Sequence, residues 1–182
     1  MESFVTSLRL AAATLLVCVF GYSALILGFA QIVTPHTADG SLITRPDGSV
    51  AGSRLIAQAF TQPRYFWPRP SAVGYNAAGA GGSNKSPTSI DVTARAKETV
   101  AAYGATADRP LPADLAAASG SGLDPDITER AALYQVARIA AARGLSPAAV
   151  EQLVHRLAFT PGGGLGGERL VTVLELNLAL QR

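Results

Sequence analysis

The sequence predicts an α+β extracytoplasmic domain attached to one N-terminal transmembrane helix. Three observations predict this class. First, from Leu10 to Ala38 there is no Asp, Glu, Lys or Arg. The strongly apolar part, Leu10 to Val33, runs roughly 24 residues, about 36 Å as a helix against a hydrocarbon core of about 30 Å. Second, helical signals with clear starts and stops recur between Thr128 and Leu157. Third, residues 39–91 carry short runs punctuated by Gly, Pro and Asp, as loops and short strands do. The part beyond the span, about 140 residues, is long enough to bury a core of its own.

In order, residues 1–9 form a short tail, 10–33 the span and 34–182 the soluble domain. Arg9 closes one end of the apolar stretch; Pro35, His36 and Asp39 close the other. Gly28-Phe29-Ala30 offers small residues at the spacing a signal peptidase accepts. The preceding apolar run exceeds the about 7–15 residues of a secretory h-region, so an uncleaved anchor is expected. Positive charge is nearly balanced, with Arg9 and the amino terminus on one side and Arg45 on the other, and sets no orientation. The short tail and long following domain favour a cytoplasmic N terminus. Ala11, Thr14, Cys18, Gly21 and Gly28 recur at steps of three, four and seven. Such a stripe lets another membrane helix approach closely.

Beyond the span, Asp39-Gly40, Pro46-Asp47-Gly48 and Gly52-Ser53 are turns around short runs at Ser41–Thr44 and Arg54–Phe60. Tyr65-Phe66-Trp67-Pro68-Arg69-Pro70 cannot be regular helix, because proline lacks the amide donor and clashes with the preceding turn. It either presents an aromatic, cationic surface or packs as a loop. Ala77–Ser89 is loop-like, Val92–Tyr103 a short helix, and Ala105–Ser121 irregular around Pro110 and Pro112. Ala132, Val136 and Ile139 share one face of a helix over Thr128–Arg143, opened by Glu129 and stopped at Gly144. Asp124 is placed to cap the turn before it. Ser146-Pro147 supplies an N-cap and an N1 proline for a helix to about Leu157. Pro161 and the glycines to Gly167 end it. Val171–Leu180 alternates like a strand, yet the same residues fit a last helix.

The chemistry that these residues exclude is broad. A net charge of +2 and only two lysines, Lys85 and Lys97, argue against nucleic acid. The single cysteine, Cys18, permits no internal disulfide and no Cys-based zinc site. His36 and His155 are too few for a histidine zinc site. Asp114, Asp124 and Asp126 lack the spacing of an EF-hand loop. Ser119 and Ser121 lack the flanking glycine pattern of a nucleophile elbow, in which the glycines stand two residues before and two after the serine. Gly79-Ala80-Gly81-Gly82-Ser83-Asn84-Lys85-Ser86 approximates a phosphate-binding loop, making Gly81, Gly82, Ser83, Asn84 and Lys85 the candidate nucleotide ligands. Asn84 stands where a glycine belongs, no buried strand leads in, and Pro87 follows at once. A surface loop is the expected outcome.

Several blocks together resemble the C-subunit family of bacterial Kdp potassium-transporting P-type ATPases. They are Gly52–Phe60, Arg69-Pro70-Ser71-Ala72, Tyr75-Asn76, Gly81–Asn84, Ala118-Ser119-Gly120-Ser121-Gly122-Leu123-Asp124-Pro125, Ala132-Leu133-Tyr134-Gln135-Val136-Ala137-Arg138 and Leu174–Leu180, with Asn177 inside the last. Ala57 and Asp126 depart from the family's glycine and histidine. The resemblance implies a non-catalytic subunit of a high-affinity potassium uptake complex in the bacterial inner membrane. Its implied partners are a potassium-channel-like subunit and an ATP-hydrolysing P-type subunit, which handle potassium and ATP. It also implies a role in assembly and as a catalytic chaperone raising the hydrolysing subunit's affinity for ATP. A stand-alone anchored binding or sensor module, or a secreted enzyme released after Ala30, would be the different-class alternatives.

Overall fold

The computed structural model describes residues 1–164 and 166–181 and divides into two compact units, Met1–Ala51 and Gly52–Arg182. The first unit is dominated by one continuous helix, α1 (Glu2–Val33), of 32 residues, none of its apolar window buried by the chain itself. It begins well before the apolar stretch at Leu10. Within it, Leu16–Gly21 is wound as a π-helix, and the amide of Tyr22 bonds back five residues to Val17. One extra residue in a turn rotates all that follows by about 100°. Gly21 and Gly28 are therefore offset from the line that Ala11 and Thr14 would continue in a regular helix. Thr34 leaves helical geometry (φ −138°, ψ 58°), as a residue before proline does, and Pro35 opens the one-turn helix α2 (Pro35–Ala38). A hairpin follows, β1 (Leu42–Thr44) with β2 (Val50–Ser53). The second strand thus lies before the run at Arg54–Phe60, which forms turns and extended loop instead. The amide of Ala57, in that run, donates to the Leu123 carbonyl.

The second unit contains α3 (Ile90–Ala102), α4 (Ala113–Ala116), β3 (Asp126–Thr128), α5 (Glu129–Arg143), α6 (Pro147–Leu157), β4 (Leu170–Thr172) and α7 (Val173–Ala179). The α+β class is thereby met. β3 and β4 pair antiparallel, with Ile127 opposite Val171. The tail is both things its pattern allowed: three residues of strand, then a helix. The one-turn α4 interrupts the irregular stretch after Ala105 because Leu115 drives fully into the core.

The core lies where α5 and α6 pack on the β3–β4 pair and α7. Ile127, Ala131, Ala132, Ile139, Val154, Val171 and Leu176 are essentially inaccessible. Each large apolar side chain buried there contributes about 1.5–3 kcal/mol. Both long helices start and stop as their sequences require. Thr128 Oγ1 accepts from the Ala131 amide at 3.0 Å, and Ser146 Oγ from the Ala149 amide at 3.2 Å. Gly144 ends α5 at φ +67°, a conformation that costs a side-chain-bearing residue roughly 1–2 kcal/mol.

Candidate functional site

The blocks that mark the sequence converge on two chain segments that have no sheet to pair with. Phe66 is fully buried, so its backbone groups need partners. Asn177 of α7, itself buried, supplies both: its Oδ1 accepts from the Phe66 amide at 2.7 Å and its Nδ2 donates to the Phe66 carbonyl at 3.0 Å. Gln135 of α5 does the same for the next residue, bonding the Trp67 amide at 2.8 Å and carbonyl at 3.1 Å. Two side-chain amides thus imitate neighbouring strands. Arg138 stacks over Trp67, 3.8 Å from the ring centroid, and donates to Tyr65 O at 3.0 Å and Gln135 Oε1 at 2.7 Å. Burial lowers its pKa to about 10, which still leaves it charged at neutral pH. The Tyr65–Pro70 stretch is therefore a packed loop with its aromatic rings engaged.

The second segment, Ala118–Pro125, closes against Arg69–Asn76. Arg69 pairs with Asp124 at 2.8 Å and reaches Ala118 O at 3.3 Å; the Ser119 amide donates to Pro70 O at 2.9 Å. Ser71 Oγ donates to Gly122 O at 2.7 Å and accepts from the amides of Val73 and Tyr75. Ser119 Oγ accepts from the Asp124 amide and Ser121 Oγ from the Leu123 amide. Asp124 Oδ1 accepts from the Asp126 amide, the turn it was placed to cap. Asn76 Oδ1 tightens a local turn by accepting from the Ala78 amide. The glycines are steric necessities. A Cβ on Gly122, at φ +69°, would lie 2.6 Å from Val73 Cγ2 and 2.8 Å from Gly81 O, and one on Gly82 would lie 2.6 Å from Gly120 O.

The phosphate-loop resemblance does not acquire its context. Gly81 donates its amide to Ser121 O at 2.7 Å, so it belongs to the brace between these two segments. No strand leads directly into it, and α3 begins only at Ile90. Lys85 pairs with Asp91 at 2.8 Å, a bond that holds the Asp91 carboxyl below its ordinary value. Asn84, between Ser83 and Lys85, sits at φ +49°. Asp114, Asp124 and Asp126 do meet, lining with Arg69 a recess of about 60 Å³. Asp124 is bound by Arg69, Asp126 by Thr172 Oγ1 at 2.7 Å, and Asp114 by the Thr128 amide at 3.1 Å. Burial raises the pKa of Asp126.

Contacts that left no local pattern escaped the sequence. Arg143 bonds Arg64 O and Leu180 O; Arg109 stacks 4.3 Å over Tyr134. Glu129 gathers His155 Nδ1 at 2.7 Å and Arg169 at 3.0 Å, tying α5 to α6 and to the residue just before β4. Only the pairing of distant residues creates these groups, and no spacing announces them.

Comparison with known proteins covers nearly the whole chain. The family model described as KdpC, K+-transporting ATPase, c chain, matches residues 4–182. A potassium-transporting ATPase KdpC subunit of Parvibaculum lavamentivorans is 66% identical over 182 residues, covering 100% of this chain and 97% of its own length. Proteins of the same name from Burkholderia orbicola (50% over 165 residues, 87% of this chain and 85% of its own) and Cereibacter sphaeroides (46% over 179 residues, 96% of each) are similar too.

Proposed function

This chain belongs to the KdpC family of K+-transporting ATPase c chains, and on that premise we propose that it is the complex's non-catalytic accessory subunit. Its single apolar helix anchors it in the bacterial inner membrane, the N terminus is cytoplasmic, and the C-terminal domain lies outside. One span cannot enclose an ion path, so potassium passes through a channel-like partner and ATP is hydrolysed on a P-type partner.

The observation that carries this reading is the use made of the family blocks. Arg69, Ser71, Ser119, Ser121, Asp124, Gln135 and Asn177 all make side-chain hydrogen bonds within the domain. They build a rigid body for docking. The small residues of the helix pack on partner spans along two lines, Ala11 and Thr14 before the π-turn and Gly21 and Gly28 after it, with Cys18 inside the turn. Any effect on ATP affinity then works by favouring one conformation of the hydrolysing subunit, which requires contacts that differ between its states.

Stripping the chain from the purified complex and adding it back tests both halves. Potassium-stimulated ATPase activity falls on stripping and returns on addition, equally with the parent and with Lys85→Met. A Lys85→Met chain that restores activity but weakens the apparent affinity for ATP would mean direct nucleotide contact. Protease accessibility in spheroplasts checks the orientation: cleavage of the C-terminal domain only after lysis would reverse it.

A further inference from the structure

A cleft of about 350 Å³ opens between α3 and the Phe60–Tyr75 stretch, lined by Phe60, Trp67, Tyr75 and Tyr103, with Glu98 and Thr99 from α3. Its size falls within the roughly 300–1,000 Å³ of small-molecule sites. The proposed subunit role makes no use of this cleft, and a guest in the cleft is independent of that role.

The side-chain polar groups of the lining are Trp67 Nε1, the hydroxyls of Thr61, Tyr75, Thr99 and Tyr103, and the Glu98 carboxylate. Trp67 Nε1 is spent on Gln62 O and the Tyr75 hydroxyl on Arg69 O. Thr99 Oγ1 is spent on Arg95 O. The Tyr103 hydroxyl has no bonded partner among the described residues, and burial raises its pKa, so it remains a neutral hydroxyl. Glu98 is the one ionisable carboxylate on the lining, and no cation of the described residues pairs with it. Arg138 is not part of the lining, but its guanidinium already stacks on Trp67 at 3.8 Å and its charge acts on the Tyr103 hydroxyl, so the net attraction for a cationic guest rests on Glu98.

Aromatic rings attract cations through their negative faces, most strongly cations that shed water easily. A carboxylate at the same place selects positive over zwitterionic or anionic guests. The lining offers no ring of oxygens to replace the hydration shell of a bare alkali ion. We propose that this cleft is a binding site for a small organic cation of the alkylated-ammonium class, held among Trp67, Tyr75 and Tyr103 with Glu98 as counter-charge. α3 has no buried residue, so the wall it provides can adjust to the guest.

Trp67 is the chain's only tryptophan and stands in the lining, so its fluorescence reads the site directly. The full-length chain in mild detergent is titrated with tetramethylammonium chloride, against potassium chloride at equal ionic strength. The expected result is a saturable change with tetramethylammonium and none with potassium. Glu98→Gln, on the exposed helix, weakens binding about three-fold, and Tyr103→Leu weakens it further. No saturable change, an equal response to potassium, or a curve unaltered by both substitutions would overturn the proposal.

Discussion

Replacing Asn177 by leucine removes the partners of two backbone groups while keeping the side chain's branched shape. Phe66 is 0% exposed and Asn177 1%, so water does not reach the orphaned amide and carbonyl. Each buried group left unpaired costs about 1–3 kcal/mol, or roughly 2–6 for both. Burying leucine in place of an amide returns about 1–2 kcal/mol of apolar transfer energy. The net loss is therefore about 0–5 kcal/mol, centred near 2.5. Urea unfolding of the detergent-solubilised chain, followed by Trp67 fluorescence, measures it, because the reporter is the residue next to the one unclamped. The midpoint shifts down and the slope stays constant. A variant as stable as the parent would refute the view that side-chain amides replace strand pairing here, as would a Gln135→Leu chain of parental stability.

Gly122→Ala, in a left-handed conformation with neighbours at 2.6 and 2.8 Å, destabilises by well over the roughly 1 kcal/mol that Gly144→Ala costs in open space; paired melts compare them. Asp126 has a folded pKa raised by burial, so the native state holds its proton longer than the unfolded chain. Stability from this group thus falls as pH rises from the ordinary value of 3.8 through the folded value. Asp126→Asn, which keeps the acceptor for Thr172, is at least as stable as the parent at pH 7, and its advantage shrinks toward pH 4. Greater instability of the variant at pH 7 than at pH 4 would reverse that sign. Gly21→Leu with Gly28→Leu leaves the isolated chain as stable as before, since a Cβ at Gly28 meets nothing within 4 Å and one at Gly21 only its own helix. The same pair reduces recovery of the chain with its partners; unchanged recovery counts against the stripe as a packing face.

The elements easiest to read were those specified by neighbours in sequence. Thr128, Gly144, Ser146 and Pro147 bracket α5 and α6 because capping is a matter of a few adjacent residues. The Arg54–Phe60 run looked like a strand by composition, but a strand needs a partner edge, and β1 pairs with Val50–Ser53 instead. The tail's alternation served a helix beyond Thr172 because α7 is buried on most of its surface, where a leucine at every second position finds core either way. The family blocks could be recognised as blocks, yet their purpose was not legible. Asn177 meets Phe66 across 111 residues and Gln135 meets Trp67 across 68. Such contacts exist only after folding. The π-turn at Leu16–Gly21 likewise has no sequence mark that a regular helix would lack.

If this chain works only as part of a larger ATPase, its companions should be recoverable with it. The most direct test is affinity purification of the tagged chain from mild detergent, with mass spectrometry of what accompanies it and a potassium-stimulated ATPase assay. The expected result is recovery of a P-type hydrolase and a channel-like subunit, with activity lost when this chain is stripped away. A monodisperse chain recovered alone, or a complex whose ATPase activity is indifferent to its removal, would contradict the accessory-subunit role.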